Sequence, residues 1–158
     1  MIPDRLRTSL QDRVAAAVTP REAAVDVMKE LQSHYGWLTD EAVGEAAGLL
    51  GLSPLQVEEL ATFYEMIYRR PVGKKVIHVC DSISCWCACC DSIMEHLKQR
   101  LGVEPGGTSA DGMFTLLPCC CMGMCDLSPA MSVDGTPYGR LTPELVDEIL
   151  VKERGKAA

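Results

Sequence analysis

Nine cysteines occur in this 158-residue chain, and all of them fall between Cys80 and Cys125. Cys80-Asp-Ser-Ile-Ser-Cys85 places four residues between two thiols, and Cys121-Met-Gly-Met-Cys125 places three; residues 86–120 separate the pairs. Three chemistries fit such thiols. Four thiolates, two to each iron, hold a [2Fe-2S] cluster when two loops wrap around the bridging sulfides. Cys87-Ala-Cys-Cys90 supplies a second close pair, and with Cys121 and Cys125 it would make a closed tetrahedral zinc site. Alternatively, Cys87 and Cys90 would form a redox dithiol at a helix start, although Cys89 intrudes and neither Pro nor Gly stands between them. The plant-type ferredoxin spacing fails, because its third cysteine would fall at Ala88. An odd number of cysteines excludes complete internal pairing.

An iron–sulfur site of this type carries a charge of about −2 when oxidised and about −3 after one-electron reduction. Burying that charge requires hydrogen-bond donors beside the sulfurs. Gly123 would let backbone N–H groups approach them, and the hydroxyls of Ser82 and Ser84 would add donors that favour the reduced state. Trp86, next to Cys85, is expected to shield the site from water, and Trp37 to pack a helical core. Only His34, His78 and His96 are available as imidazoles, and none lies in the cysteine loops, which excludes a Rieske-type centre. Asp81 and Asp126 flank candidate ligands without forming a facing carboxylate pair, so acid–base catalysis has no candidate and no independent catalytic site is expected.

The elements that must position these thiols follow from periodicity and punctuation. Three helices are delimited in the first 70 residues. Thr19-Pro20-Arg21-Glu22 reads as a capping box opening a stripe of Ala23, Ala24, Val27, Met28, Leu31 and Tyr35, stopped by Gly36. Thr39-Asp40-Glu41 starts a helix running to about Leu50, before Gly51. Ser53-Pro54-Leu55-Gln56 is a second capping box, with Val57, Leu60, Ala61, Tyr64 and Ile67 on the inward face. At Arg70-Pro71-Val72-Gly73 the pattern breaks, and alternation from Lys75 to Cys80 predicts a strand. A helix from Asp91 to about Leu101, a strand from Met113 to Leu117, a short strand from Pro129 to Val133 turned by Asp134-Gly135, and a helix opened by Thr142-Pro143-Glu144 complete the order. Arg154 to Ala158 reads as a frayed tail. The fold class is therefore α+β: a helical bundle over 1–72, then a small α/β domain resembling the thioredoxin fold over 73–158.

Composition narrows the function. The chain is 47% hydrophobic with a net charge of −7, which is ordinary for a folded domain and opposite to the basic footprint of a nucleic-acid binder. The uncharged stretch Ala46 to Val57 is too short for a membrane span of about 20 residues and is broken by Gly48, Gly51 and Pro54. The charged start, Met1-Ile2-Pro3-Asp4-Arg5, lacks a signal-peptide core, so a cytoplasmic location is expected. There many cysteines mean metal or redox chemistry more often than structural disulfides.

An ordered set of motifs carries a resemblance over nearly the whole chain. Ala61-Thr62-Phe63-Tyr64, Pro71-Val72-Gly73-Lys74, Cys80-Asp-Ser-Ile-Ser-Cys85-Trp86, Asp111-Gly112-Met113-Phe114-Thr115-Leu116, Cys120-Cys121-Met-Gly-Met-Cys125 and Pro129-Ala-Met131 follow one another. In this the chain resembles the small thioredoxin-like [2Fe-2S] ferredoxin subunit of respiratory complex I, the NADH:quinone oxidoreductase. The resemblance implies that Cys80, Cys85, Cys121 and Cys125 each bind iron of one [2Fe-2S] cluster. It also implies a partner, an NADH-binding flavoprotein subunit that carries FMN and a [4Fe-4S] cluster, beside which the helical bundle packs. A two-electron hydride donor is joined to one-electron carriers through such a flavin. This chain has no Gly-rich dinucleotide fingerprint, so NADH is expected on the partner. The complex would hold the chain peripherally on the inner face of a membrane. The equivalent subunit of a soluble NAD-linked hydrogenase or formate dehydrogenase is the near alternative, and a zinc-stabilised interaction module the distant one. Cys87, Cys89, Cys90, Cys119 and Cys120 depart from the family pattern as extra thiols; they read as small apolar fillers or, more sharply, as substitute ligands or partners in oxidative cross-linking.

Overall fold

Helices whose apolar residues recur once per turn account for the first part of the chain. The computed structural model describes residues 2–156 and divides into two units, Met1–Pro71 and Val72–Ala158. The first unit holds α1 (Asp4–Ala16), a 3-10 turn (Pro20–Ala23), α2 (Ala24–Tyr35), α3 (Asp40–Leu50) and α4 (Pro54–Phe63). Leu10, Val27, Met28, Leu31, Leu38, Ala42, Ala46, Leu50, Val57 and Ala61 form its core.

Local signals explain most of these boundaries. Thr39 caps α3 by accepting from the Ala42 N–H at 3.1 Å, and Ser53 and Gln56 form the reciprocal capping box of α4. The capping box expected at Thr19 does not form. A 3-10 turn intervenes, the Thr19 side chain makes no capping bond, and Glu22 instead accepts from the Val18 N–H at 3.0 Å. α4 also ends earlier than its apolar stripe, at Phe63, so Tyr64 and Ile67 reach the core from the connecting segment. Helix α1 is not delimited by the sequence because it has no capping side chain and only one apolar residue per turn, Leu6, Leu10 and Val14.

The second unit is a four-stranded sheet in the order β2-β1-β3-β4, built from β1 (Lys75–Cys80), β2 (Phe114–Cys119), β3 (Met131–Val133) and β4 (Thr136–Tyr138). β1 and β2 are parallel; β3 runs antiparallel to β1, and β4 antiparallel to β3. The helices are α5 (Ile83–Cys87), α6 (Cys90–Leu101) and α7 (Pro143–Lys156). Ile77, Val79, Ile93, Leu97, Phe114, Leu116, Met131, Val133, Val146 and Ile149 form the core. Strand β4 and helix α5 are additional to the sequence reading, because runs of three and five residues carry too little periodicity to register.

The tail expected over Arg154 to Ala158 is helical through Lys156, while 157–158 lie outside the described residues. Arg154 pairs with Asp111 at 3.0 Å and lies 5.6 Å over the Phe114 ring, and buried Glu153 takes hydrogen bonds from Tyr138 and Lys156. Contacts remote in sequence hold these turns in place. Among the described residues no helix is long and apolar enough to cross a membrane.

Candidate functional site

Parallel pairing brings the cysteine loops together. Cys80 ends β1, Cys119 ends β2, and the two are register partners, so the chain leaves both parallel strands at the same end of the sheet. The Asp81 N–H donates to the Cys119 carbonyl at 3.1 Å, and the Cys80 N–H donates to Ala130, just before antiparallel β3, at 3.1 Å. All three loops that bear or support thiols are thereby tied to one end of the sheet.

Cys80, Cys85, Cys121 and Cys125 line one recess with Ser82, Ser84, Met122, Met124 and Ala130. Within it the thiols stand as two pairs: Cys121 Sγ lies 3.4 Å from Cys125 Sγ, and the Cys85 thiol hydrogen-bonds the Cys80 sulfur. Cys80 and Cys85 are buried, whereas Cys121 and Cys125 are exposed. Two close pairs of soft donors on adjacent loops match the demand of a two-iron cluster for two thiolates on each iron.

The inner pair has the donors that a buried anion requires. Burial pushes the Cys80 thiol up, but hydrogen bonds from the Ser82 N–H, the Cys85 thiol, the Met122 N–H and the Ser82 hydroxyl outweigh it and hold Cys80 below the ordinary cysteine range. Cys85 is raised, chiefly by burial, and the neighbouring Cys80 adds to the effect. Ser128 Oγ stands 3.6 Å from Cys85 Sγ and donates to the Cys125 carbonyl at 2.9 Å, so one hydroxyl connects both pairs.

Several expectations change in detail. Ser82 serves as a donor as foreseen, but the second backbone donor to Cys80 is Met122 rather than Gly123. Gly123 has φ +81 with open space around it, so its role is the left-handed turn that joins Cys121 to Cys125. Trp86 does not shield the recess: it is absent from the lining and 59% exposed. The zinc set is not assembled either. Cys87, at the end of α5, is exposed, and neither it nor Cys90 lines the recess that holds Cys121 and Cys125. Cys90 and Cys119 are buried with Cys80, Cys85 and Ala130, whereas Cys87, Cys89 and Cys120 are exposed, so the apolar-filler reading holds for two of the five extra thiols. Cys89 adopts φ +61 at the N-cap of α6. His96 forms a 3.0 Å bond to Asp147, away from the recess.

Sequence reasoning missed Ser128, Ala130 and Gly139. A Cβ at Gly139 would stand 2.5 Å from Leu127 Cβ and 2.7 Å from the Leu127 carbonyl oxygen. The Arg140 N–H donates to that same carbonyl at 2.6 Å, clasping the loop that carries Cys125. Nothing in the local sequence signals an approach between residues twelve positions apart.

The family model of the thioredoxin-like [2Fe-2S] ferredoxins matches residues 10–154. The E subunit of the NADH-quinone oxidoreductase of Escherichia coli (strain K12) is 43% identical over 131 residues, covering 83% of this chain and 79% of the relative. Its counterpart in Pseudomonas aeruginosa, of the same name, is 38% identical over 144 residues, covering 91% of this chain and 87% of the relative. Among solved structures, an NAD+-reducing [NiFe]-hydrogenase in the air-oxidised state is similar with a TM-score of 0.69 and 24% identity over 82% of this chain. This chain spans 23% of that hydrogenase chain, and the likeness is one of fold. With a family match over most of its length and relatives at this level of identity, the chain belongs to the thioredoxin-like [2Fe-2S] ferredoxin family.

Proposed function

We propose that this chain is the one-electron carrier subunit of an NADH:quinone oxidoreductase, exchanging electrons with the FMN of an NADH-binding flavoprotein subunit. Cys80, Cys85, Cys121 and Cys125 are the cluster ligands in this reading. The observation that carries it is the convergence of both cysteine pairs on one recess beyond the C-terminal ends of β1 and β2. A [2Fe-2S] cluster held there would supply reversible storage of one electron.

The residues of this chain set the conditions for that chemistry. The Ser82 and Met122 N–H groups and the Ser82 hydroxyl point at the inner sulfur, where an added electron increases negative charge. Met122, Met124 and Ala130 give the recess an apolar lining that limits water. With a cluster held by these four cysteines, the site would accept and return one electron at a time without any bond to this chain forming or breaking. The relatives named for the E subunit of NADH-quinone oxidoreductase support the assignment to that complex. A position on the inner face of the membrane follows from membership of such a complex and is part of the same proposal.

Iron and acid-labile sulfide analysis of anaerobically purified protein, with electron paramagnetic resonance, tests the reading. Two irons and two sulfides per chain, with a rhombic signal that appears on reduction, are expected; stoichiometric zinc in their place would overturn it. Copurification then separates the parent complexes. A flavoprotein and a membrane arm mark the quinone-linked enzyme, whereas a hydrogenase or molybdenum subunit marks the alternative.

A further inference from the structure

The four thiols of the recess differ in access. Cys80 and Cys85 are each 2% exposed, whereas Cys121 and Cys125 are exposed. The sulfurs of the outer pair stand 3.4 Å apart, and Gly123, in the left-handed region at φ +81, turns the intervening chain back on itself. The inner pair is also in contact, through the hydrogen bond from the Cys85 thiol to the Cys80 sulfur. Exposure, and not proximity, therefore distinguishes the two pairs.

An open pair of thiols has a second chemistry besides metal binding. A small disulfide reacts with a thiol it can reach, and burial at 2% exposure closes that route for Cys80 and Cys85. Once one outer thiol carries a mixed disulfide, its neighbour displaces the small thiol before a second reagent molecule arrives, because the attack is intramolecular and its effective concentration high. Closure from 3.4 Å to a bond of about 2.05 Å requires a small shift of the loop. Ser128 Oγ holds the Cys125 carbonyl at 2.9 Å, while the space around Gly123 is open, so the Cys121 side is free to move.

We propose that Cys121 and Cys125, in the chain before its cluster is in place, form a reversible modification site: a low-molecular-weight disulfide such as oxidised glutathione joins them, while Cys80 and Cys85 stay reduced. Both S–H bonds break and one S–S bond forms. The S–S bond of the reagent breaks and takes up the two electrons, and the two protons go to the two small thiolates released. The site rests on the reading of these cysteines as cluster ligands. Its disulfide ties up two of the four sulfurs that the cluster needs, so the oxidised chain takes up iron only after a thiol reductant reopens the pair, and a bound cluster protects the pair from oxidation.

The test uses the full-length chain freed of iron, treated with oxidised glutathione, alkylated with iodoacetamide and digested with trypsin. No lysine or arginine lies between Lys75 and Lys98 or between Arg100 and Arg140, so residues 76–98 carry the inner pair on one peptide and residues 101–140 the outer pair on another. The 101–140 peptide is expected to appear lighter by two hydrogens than its fully reduced form, with Cys121 and Cys125 unalkylated, and dithiothreitol should reverse the change. Cys80 and Cys85 should be recovered alkylated. Cys120→Ser should keep the cross-link and Cys125→Ser should lose it, with circular dichroism showing both variants folded. The cluster-loaded parent chain should gain no cross-link. A cross-link that appears first in the 76–98 peptide, one that disappears in Cys120→Ser, or glutathione adducts alone on Cys121 and Cys125 would each overturn the site. Ferrous iron and sulfide added to the reduced chain test the underlying reading separately. If the cluster absorption develops and no Cys121–Cys125 cross-link forms under oxidation, the modification site is wrong and the electron-carrier reading stands. If the cross-link forms and no cluster develops, the electron-carrier reading fails and the thiol site stands.

Discussion

Cys80 and Cys119 are register partners at the ends of the parallel strands β1 and β2, although 38 residues separate them in the chain. Because the strands run the same way, both segments leave the sheet at one end, and the loops bearing Cys85, Cys121 and Cys125 start from a common origin. An antiparallel pairing of the same two strands would have sent the loops to opposite ends.

Replacing the recess cysteines and the extra cysteines should give opposite results. Cys121→Ser and Cys85→Ser are expected to lower iron content or shift the absorption and paramagnetic resonance spectra, since each removes a thiol from the recess. Cys87→Ser, outside it, should leave both spectra and iron content unaltered. A changed spectrum in Cys87→Ser would instead mark that residue as a ligand.

Gly139→Ala should displace the loop that carries Cys125. The new methyl group would overlap Leu127 Cβ and the Leu127 carbonyl, and the Arg140 to Leu127 bond would be strained. A loss of about 1–3 kcal/mol is expected for overpacking of this type, read as a lower melting temperature and faster iron loss to a chelator. Gly155→Ala, where an added Cβ meets open space, should be neutral or slightly stabilising.

Arg69 is expected to be a principal polar tie of the helical unit. Its guanidinium bonds both carboxylate oxygens of Glu58, the Asp40 carboxylate at 2.7 Å and the Leu38 carbonyl, drawing the segment after α4 onto α3 and α4. Arg69→Ala should destabilise by about 1–2 kcal/mol in chemical denaturation, since the two ion pairs are solvent-screened and the Leu38 carbonyl loses a donor. Arg69→Lys should recover only a fraction, because an ammonium cannot reproduce the planar fork.

Stability of the α/β unit should fall in acid through Glu153. Hydrogen bonds from Lys156 and Tyr138 hold this carboxyl below its ordinary value of 4.5. A depressed carboxyl contributes stability that is fully present above that value and is lost as pH falls through the lower, folded-state value. Glu153→Gln should remove this dependence below about pH 4.5, measured as melting temperature against pH, with the parent and variant curves converging at the acid end.

Much of this molecule is legible in its residues because the signals are local. The capping box at Ser53, the cap at Thr39, the glycine stops at Gly36 and Gly51 and the strand from Lys75 to Cys80 each depend on neighbours within a few positions, and each is found in the fold. The two cysteine pairs are equally plain, since the spacing of thiols in a loop is a property of the chain alone. Where a local pattern is ambiguous, tertiary packing prevails: Thr19 loses its cap to a 3-10 turn, and the tail after Arg154 is held helical by Asp111 and the Phe114 ring.

The sequence by itself determined the elements whose start and stop signals are local, such as α3, α4 and β1, and which residue types can bind a soft metal. Only the tertiary structure decided which thiols meet. Strand register joined Cys80 and Cys85 to Cys121 and Cys125, left Cys87 on the outer face of a short helix, and aimed the Met122 N–H at a sulfur more than forty residues earlier. It also set Ser128 between the pairs and Gly139 against Leu127. These are relations between remote segments, settled by burying one continuous core, and no local spacing encodes them.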